Sequence, residues 1–240
     1  MPKPRKSYAL WITGHILRLL ATLLVAAVCF FMIWRVFISS NPPSDMKRLA
    51  ANEQLAAAYR THGESLYMFT QEQGTVTRGA ANSGYFGYTS AVFIPDAAQV
   101  QVVFRYNDST LEHIKEDFGL AEEPPKGEEI FDVTMVKIID TTPDDKSDNT
   151  DGSENLRKER IVPTSREIDT TLLYTYVRYT FDGVVMTEDT ITAFLDVYYN
   201  ADINYEAEAL GTLRLYHAES PNLRVELSGK EKKALEAYES

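Results

Sequence analysis

Residues 171–199 read "TLLYTYVRYTFDGVVMTEDTITAFLDVYY". Thr, Tyr, Val and Phe are concentrated here, and these residues suit a pleated, half-buried backbone. On the stretch 171–181, Leu173, Thr175, Val177, Tyr179 and Phe181 fall on one face. Leu172, Tyr174, Tyr176 and Arg178 fall on the other, because successive strand side chains alternate. Asp182-Gly183 then sits between Phe181 and Val184. Aspartate and glycine tolerate positive φ, so the pair predicts a two-residue hairpin turn with the chain returning through 184–199. A break near Glu188-Asp189 precedes the second half of the return strand, "ITAFLDVYY".

The same signals recur on both sides. "YFGYTSAVFIPDAAQVQVVFRYN", residues 85–107, predicts two strands joined near Pro95–Ala98. In the second, Val100, Val102, Phe104 and Tyr106 alternate with Gln99, Gln101 and Arg105, which predicts one buried and one wet face. "EEIFDVTMVKIID" alternates through Phe131, Val133 and Met135. "GTLRLYH" and "NLRVELS" add two short strands. A helix is expected over "STLEHIKEDFG", with Ser109 and Glu112 at capping-box spacing, Leu111, Ile114 and Phe118 on one face, and Gly119 as the stop. The count is about eight strands, with no βαβ alternation and no internal repeat. The fold class predicted is therefore mainly β: an antiparallel sandwich-like domain with one or two short helices, with a β-rich α+β domain as the alternative. No cysteine–tryptophan–cysteine core supports a true immunoglobulin domain.

Ahead of this domain lies "RLLATLLVAAVCFFMIWR", residues 18–35. A helix rises about 1.5 Å per residue and a bilayer core is about 30 Å thick, so roughly 20 residues are needed to span it. Leu19 to Ile38 supplies that length if Arg35 reaches the headgroups. Trp11, Trp34 and Phe37 suit the interfaces. The run lacks the polar stripe of a core helix. It is longer than the apolar part of a secretory signal, and no good small-residue cleavage site follows it. A retained spanning helix is the expectation, with a cleaved signal as its rival and a lipid anchor at Cys29 third. Lys3, Arg5, Lys6 and Arg18 precede the run, with no acidic residue before Asp45, so the N-terminus is expected in the cytoplasm and the β-domain outside.

The expected organisation is a cytoplasmic tail (1–18), a transmembrane helix (19–38), a juxtamembrane helix (44–60) capped by Ser44, an extracytoplasmic β-domain (64–228) and a short C-terminal helix or tail (229–240). A flexible acidic loop is expected at 141–160, where "TTPDDKSDNTDGSENLRKER" is almost free of apolar residues.

Charge narrows the partners. Five of the 24 Lys and Arg lie in residues 1–40, which hold no acid; residues 41–240 therefore set 19 basic against 35 acidic side chains, a net charge of −16. Such a surface repels nucleic acid. The sole cysteine, Cys29, lies in the apolar run, so the β-domain has no disulfide and no thiol nucleophile. An exported domain without cysteine fits a bacterial cell envelope.

Patterns that carry chemistry are few. Ser44-Asp-Met-Lys47 fits the S-x-x-K pattern of penicillin-recognising acyl transferases, but no K-T-G partner follows and a helix cap accounts for it. Residues 147–158 place Gly152 at the sixth position of a calcium loop. Ser147 and Lys158 stand where aspartate and a bidentate glutamate are wanted, so a flexible acidic loop is the reading. His15, His62, His113 and His217 show no ligand spacing. No catalytic residue, metal ligand or cofactor is assigned.

The candidate ligand-binding residues are Tyr174, Tyr176 and Arg178, with Tyr198 joining from the return strand. Tyrosines beside an arginine on an open sheet face make a site for glycan or peptide, because each ring offers apolar area and a polar tip. A second layer, or the helix after the membrane run, would cover that face instead. The functional expectation is a single-pass, membrane-anchored, non-enzymatic interaction or structural module. It would contact lipid through 19–38 and an envelope protein or glycan through its β-domain. An envelope glycan- or peptide-binding domain is the first alternative and an envelope hydrolase the second.

Overall fold

The computed structural model describes residues 6–70, 76–77, 87–128, 130–141, 156–199, 209–220 and 222–238, with backbone only for 6–10, 39–40 and 76–77. The chain forms two units, residues 1–41 and 42–240.

The first unit is one helix, α1 (Lys6–Ser40). Its stretch Trp11–Ile38 is 28 residues long and exposed throughout. Its length and apolar composition are those of a membrane anchor or a signal sequence.

The second unit is mainly β, in the order α2 (Glu53–His62), β1 (Phe69–Thr70), β2 (Val76–Thr77), β3 (Gly87–Ile94), β4 (Gln99–Tyr106), α3 (Asp108–Phe118), β5 (Phe131–Asp140), β6 (Leu156–Ile161), β7 (Ser165–Thr170), β8 (Thr175–Asp182), β9 (Thr190–Tyr199), β10 (Gly211–His217), β11 (Leu223–Arg224) and α4 (Gly229–Glu236). Among the described residues these strands make two sheets. One has six strands ordered β11-β1-β3-β4-β8-β7, and the other has five ordered β2-β10-β9-β5-β6. Every pairing is antiparallel.

The inner faces of both sheets share one core. Val102, Phe104, Val177, Tyr179 and Phe181 from the larger sheet meet Phe131, Val133, Met135, Leu195 and Leu213 from the smaller. Phe104 stacks on Tyr179 at 5.1 Å within its own sheet and meets Phe131 edge-on across the gap at 6.2 Å. Burying rings of this size gives the dominant stabilising term, at roughly 25 cal/mol per Å² removed from water. α3 seals one end through Leu111 and Ile114, with Phe118 partly buried beside them. Gly119, at φ +60, ends it in the left-handed conformation that glycine adopts without penalty.

Several local expectations are corrected. β8 and β9 do not form a hairpin: β8 pairs with β4 and β7, and β9 pairs with β5 and β10. Gly183 does take positive φ (+74). The chain then crosses to the other sheet, because Val184 is drawn into the core and its N–H is taken by the Ala98 carbonyl at 2.7 Å. The helix after the membrane run starts at Glu53, capped by the Asn52 side chain, and residues 44–47 form a turn. α3 is capped by Asn107 with Thr110, not by Ser109 with Glu112. Residues 156–161, expected at the end of the acidic loop, form β6. They pair with 135–140, since that register covers the edge of β5. Most of the acidic loop and of the calcium-loop pattern, residues 142–155, lie outside the described residues; the pattern's last three residues, 156–158, belong to β6.

Candidate functional site

On β8 the alternation predicted from sequence holds. Val177, Tyr179 and Phe181 point into the sandwich, and Tyr176 and Arg178 point to the opposite, outer face of the six-stranded sheet. Register places their neighbours. Glu167 of β7, Arg178 of β8, Val103 of β4 and Ser90 of β3 form one row across four strands. Thr180, Gln101 and Val92 form the next row.

This outer face is not open. Residues 45–50 run across it as a strap, and α2 and α4 pack beside the strap around Leu55, Ala56, Leu66, Met68, Ile94, Leu227 and Leu235. Within the strap Met46 is the one fully buried side chain, set against Val103 and Tyr176. Leu49 packs partly buried against the α2 and α4 cluster, and the strap's hydrogen bonds to the sheet and to α4 run through its backbone. Arg178 Nη2 donates to the carbonyls of Arg48 (2.8 Å) and Asp45, while Nη1 binds the Glu167 carboxylate at 2.7 Å. The Gln101 carboxamide accepts from the Ala50 N–H at 2.8 Å and donates to the Ala50 carbonyl at 2.9 Å. That is the paired exchange by which one strand reads another. Leu49 N–H donates to the Glu231 carboxylate at 2.7 Å, and the other oxygen of Glu231 takes the Ser228 N–H that starts α4. Gln99 closes the network, donating to Asp182 at 2.7 Å and Asn52 at 3.1 Å.

Burial follows. Gln99, Gln101 and Arg178 are 1%, 3% and 3% exposed, so the face read as wet is dry. Buried polar groups persist only when hydrogen-bonded; here the strap's peptide groups satisfy Gln101 and, together with Glu167, Arg178, while the Asn52 and Asp182 side chains satisfy Gln99. The Arg178 Nε is the exception: among the described residues it has no partner. Desolvation lowers the guanidinium pKa, with Glu167 opposing that shift. Beneath the strap a cavity of about 220 Å³ remains, lined among others by Leu49, Val92, Gln101, Val103, Arg178 and Glu231.

Three of the four tyrosine and arginine candidates gather here. Tyr174 is half-buried, 6.2 Å from the Tyr176 ring, with the Arg105 guanidinium 4.6 Å above it. Tyr176 is fully buried. Tyr198 is elsewhere: on β9 it stands opposite Asp132, on the outer face of the five-stranded sheet. There the Arg160 guanidinium lies 5.7 Å from its ring and donates to its hydroxyl at 3.3 Å. The neighbours of this cluster not assigned to it from sequence are Met46, Gln99, Gln101, Glu167 and Glu231. The available signal was glutamine at alternate positions of an otherwise apolar strand.

Among the described residues no group of three or more His, Cys, Asp or Glu side chains converges to hold a metal. Compared with protein families, curated proteins and solved structures, the chain finds no match.

Proposed function

We propose that this chain is a membrane-anchored, non-enzymatic interaction module of a bacterial envelope, with α1 retained in the lipid and the acidic sandwich displayed on the extracytoplasmic side. One observation carries the reading: Trp11–Ile38 is exposed along its whole length, so its apolar surface is left for lipid to cover. Lys3, Arg5, Lys6 and Arg18 before the run support the orientation, since Lys and Arg near a span stay on the cytoplasmic side.

The test is made on the full chain in cells. Carbonate extraction should leave it in the membrane fraction, and intact mass should include residues 1–40. Protease added to spheroplasts should digest the sandwich. A mature chain beginning after Ile38, or a sandwich spared by the protease, would overturn the placement. Photocrosslinkers at exposed positions of 42–240 should then capture a discrete envelope protein or glycan. A ladder without discrete species would remove the interaction role while leaving the anchor standing.

A further inference from the structure

The strap is held in an unusual way for a permanent layer. Of residues 44–50 only Met46 is fully buried, and Leu49 packs partly buried against the α2 and α4 cluster. The strap's hydrogen bonds to the groove all go to main-chain atoms: two carbonyls to Arg178, one N–H to Glu231, and an N–H and carbonyl to Gln101. Contacts of this kind do not depend on which side chains the held segment carries. Sheet edges that capture extended peptides share this division of labour, with bonds to the peptide main chain giving affinity and pockets for side chains giving selectivity, although here the bonds come from side chains on the sheet's face. The groove is also larger than its occupant, since about 220 Å³ stays empty beside Leu49.

We infer that the outer face of the six-stranded sheet is a binding groove for an extended peptide, filled in this chain by its own residues 45–50. The incoming partner is a peptide segment with an apolar side chain at the Met46 position and a bulkier apolar or aromatic side chain at the Leu49 position. Its carbonyls one residue before and two residues after the first anchor would meet Arg178, and its backbone four residues after would meet Gln101. The strap is a competitor in cis. A tethered segment acts at an effective concentration on the order of millimolar, so it masks the groove from weak ligands and yields to a peptide that also fills the cavity. This deepens the interaction role, and it holds wherever the anchor resides.

The test uses the full chain in detergent with Cys29→Ser and two fluorescent peptides of residues 43–52, one native and one carrying Leu49→Trp. Met46→Asp, which puts a carboxylate against Val103 and Tyr176, should loosen the strap and tighten binding of both peptides by about a hundredfold over the native chain. The Leu49→Trp peptide should bind tighter than the native one. Met46→Cys with Val103→Cys should lock the strap by a disulfide and abolish binding until reductant is added. If Met46→Asp does not fold, the oxidised and reduced states of the cysteine pair carry the test alone. Equal binding in both states, or no binding to a folded Met46→Asp chain, would overturn the inference. So would failure of the two cysteines to pair. Dimers joining Met46→Cys of one chain to Val103→Cys of another would identify a second copy as the partner and overturn the larger-anchor requirement.

Discussion

The two sheets of the sandwich share a core on their inner faces and differ on their outer ones. The six-stranded sheet is covered by the strap, α2 and α4, so β8 is buried at every position from Thr175 to Phe181. In the five-stranded sheet β10 alternates between buried and accessible residues, with Arg214 in solvent. Period-two patterning reports a strand with one wet face, and it fails where a second layer arrives. The difference also shows what a covered polar face needs. Gln101 and Arg178 remain in the interior with the strap's peptide groups laid against them, and Gln99 with the Asn52 and Asp182 side chains as its partners.

That comparison can be broken by mutation. If the outer face of the larger sheet is truly interior, Tyr176→Ala should cost about 3–5 kcal/mol in chemical denaturation, as for a ring removed between the sheets. Arg214→Ala on the other sheet should stay within about 0.5 kcal/mol. Similar small losses at both sites would show that the strap does not seal its face. Next in size is Gln101→Ala, which leaves the Ala50 N–H and carbonyl without their partner. A loss of about 2 kcal/mol is expected, with faster hydrogen exchange at Ala50 and little change at the β5–β9 pairing. Uniform exchange across both sheets would mean the strap is not a separable layer.

The smallest effect is alkaline. Burial raises the phenol pKa of Tyr106, Tyr176 and Tyr179, so the folded domain holds these groups neutral after the unfolded chain has begun to ionise. Stability is therefore full below the free phenol's pKa and falls as pH rises above it. For Tyr179, whose shift is large, the loss is about 1.4 kcal/mol one pH unit beyond that point. Tyr179→Phe should remove about 1 kcal/mol of the decline between about pH 10 and 11. An unchanged slope would contradict the neutral, buried state of this phenol.

Much of the fold was readable from residue patterns alone. β3, β4, β5 and β10 lie where apolar alternation put them, because each packs one face on a core that local spacing announces. α3 was legible in its apolar face and its Gly119 stop, although its cap belongs to Asn107. β6 and β7 were missed: "LRKERI" and "SREIDT" are edge strands with little buried surface, and charged edge residues mimic a loop. Of the candidate site, the grouping of Tyr174, Tyr176 and Arg178 was readable from period two. Tyr198 was not, because its placement depended on a hairpin at Asp182-Gly183 that the chain does not make.

By itself the sequence determined an apolar helix of spanning length, an acidic, mainly β domain of sandwich type after it, and the face on which each β8 side chain stands. These follow from spacing and transfer free energy, which act within a few residues. Only the tertiary structure decided which sheet each strand joins and what lies over Arg178. A turn that permits reversal does not compel it. The partners of Gln101 and Arg178 lie 51 and 130 residues away, where no local pattern can register them.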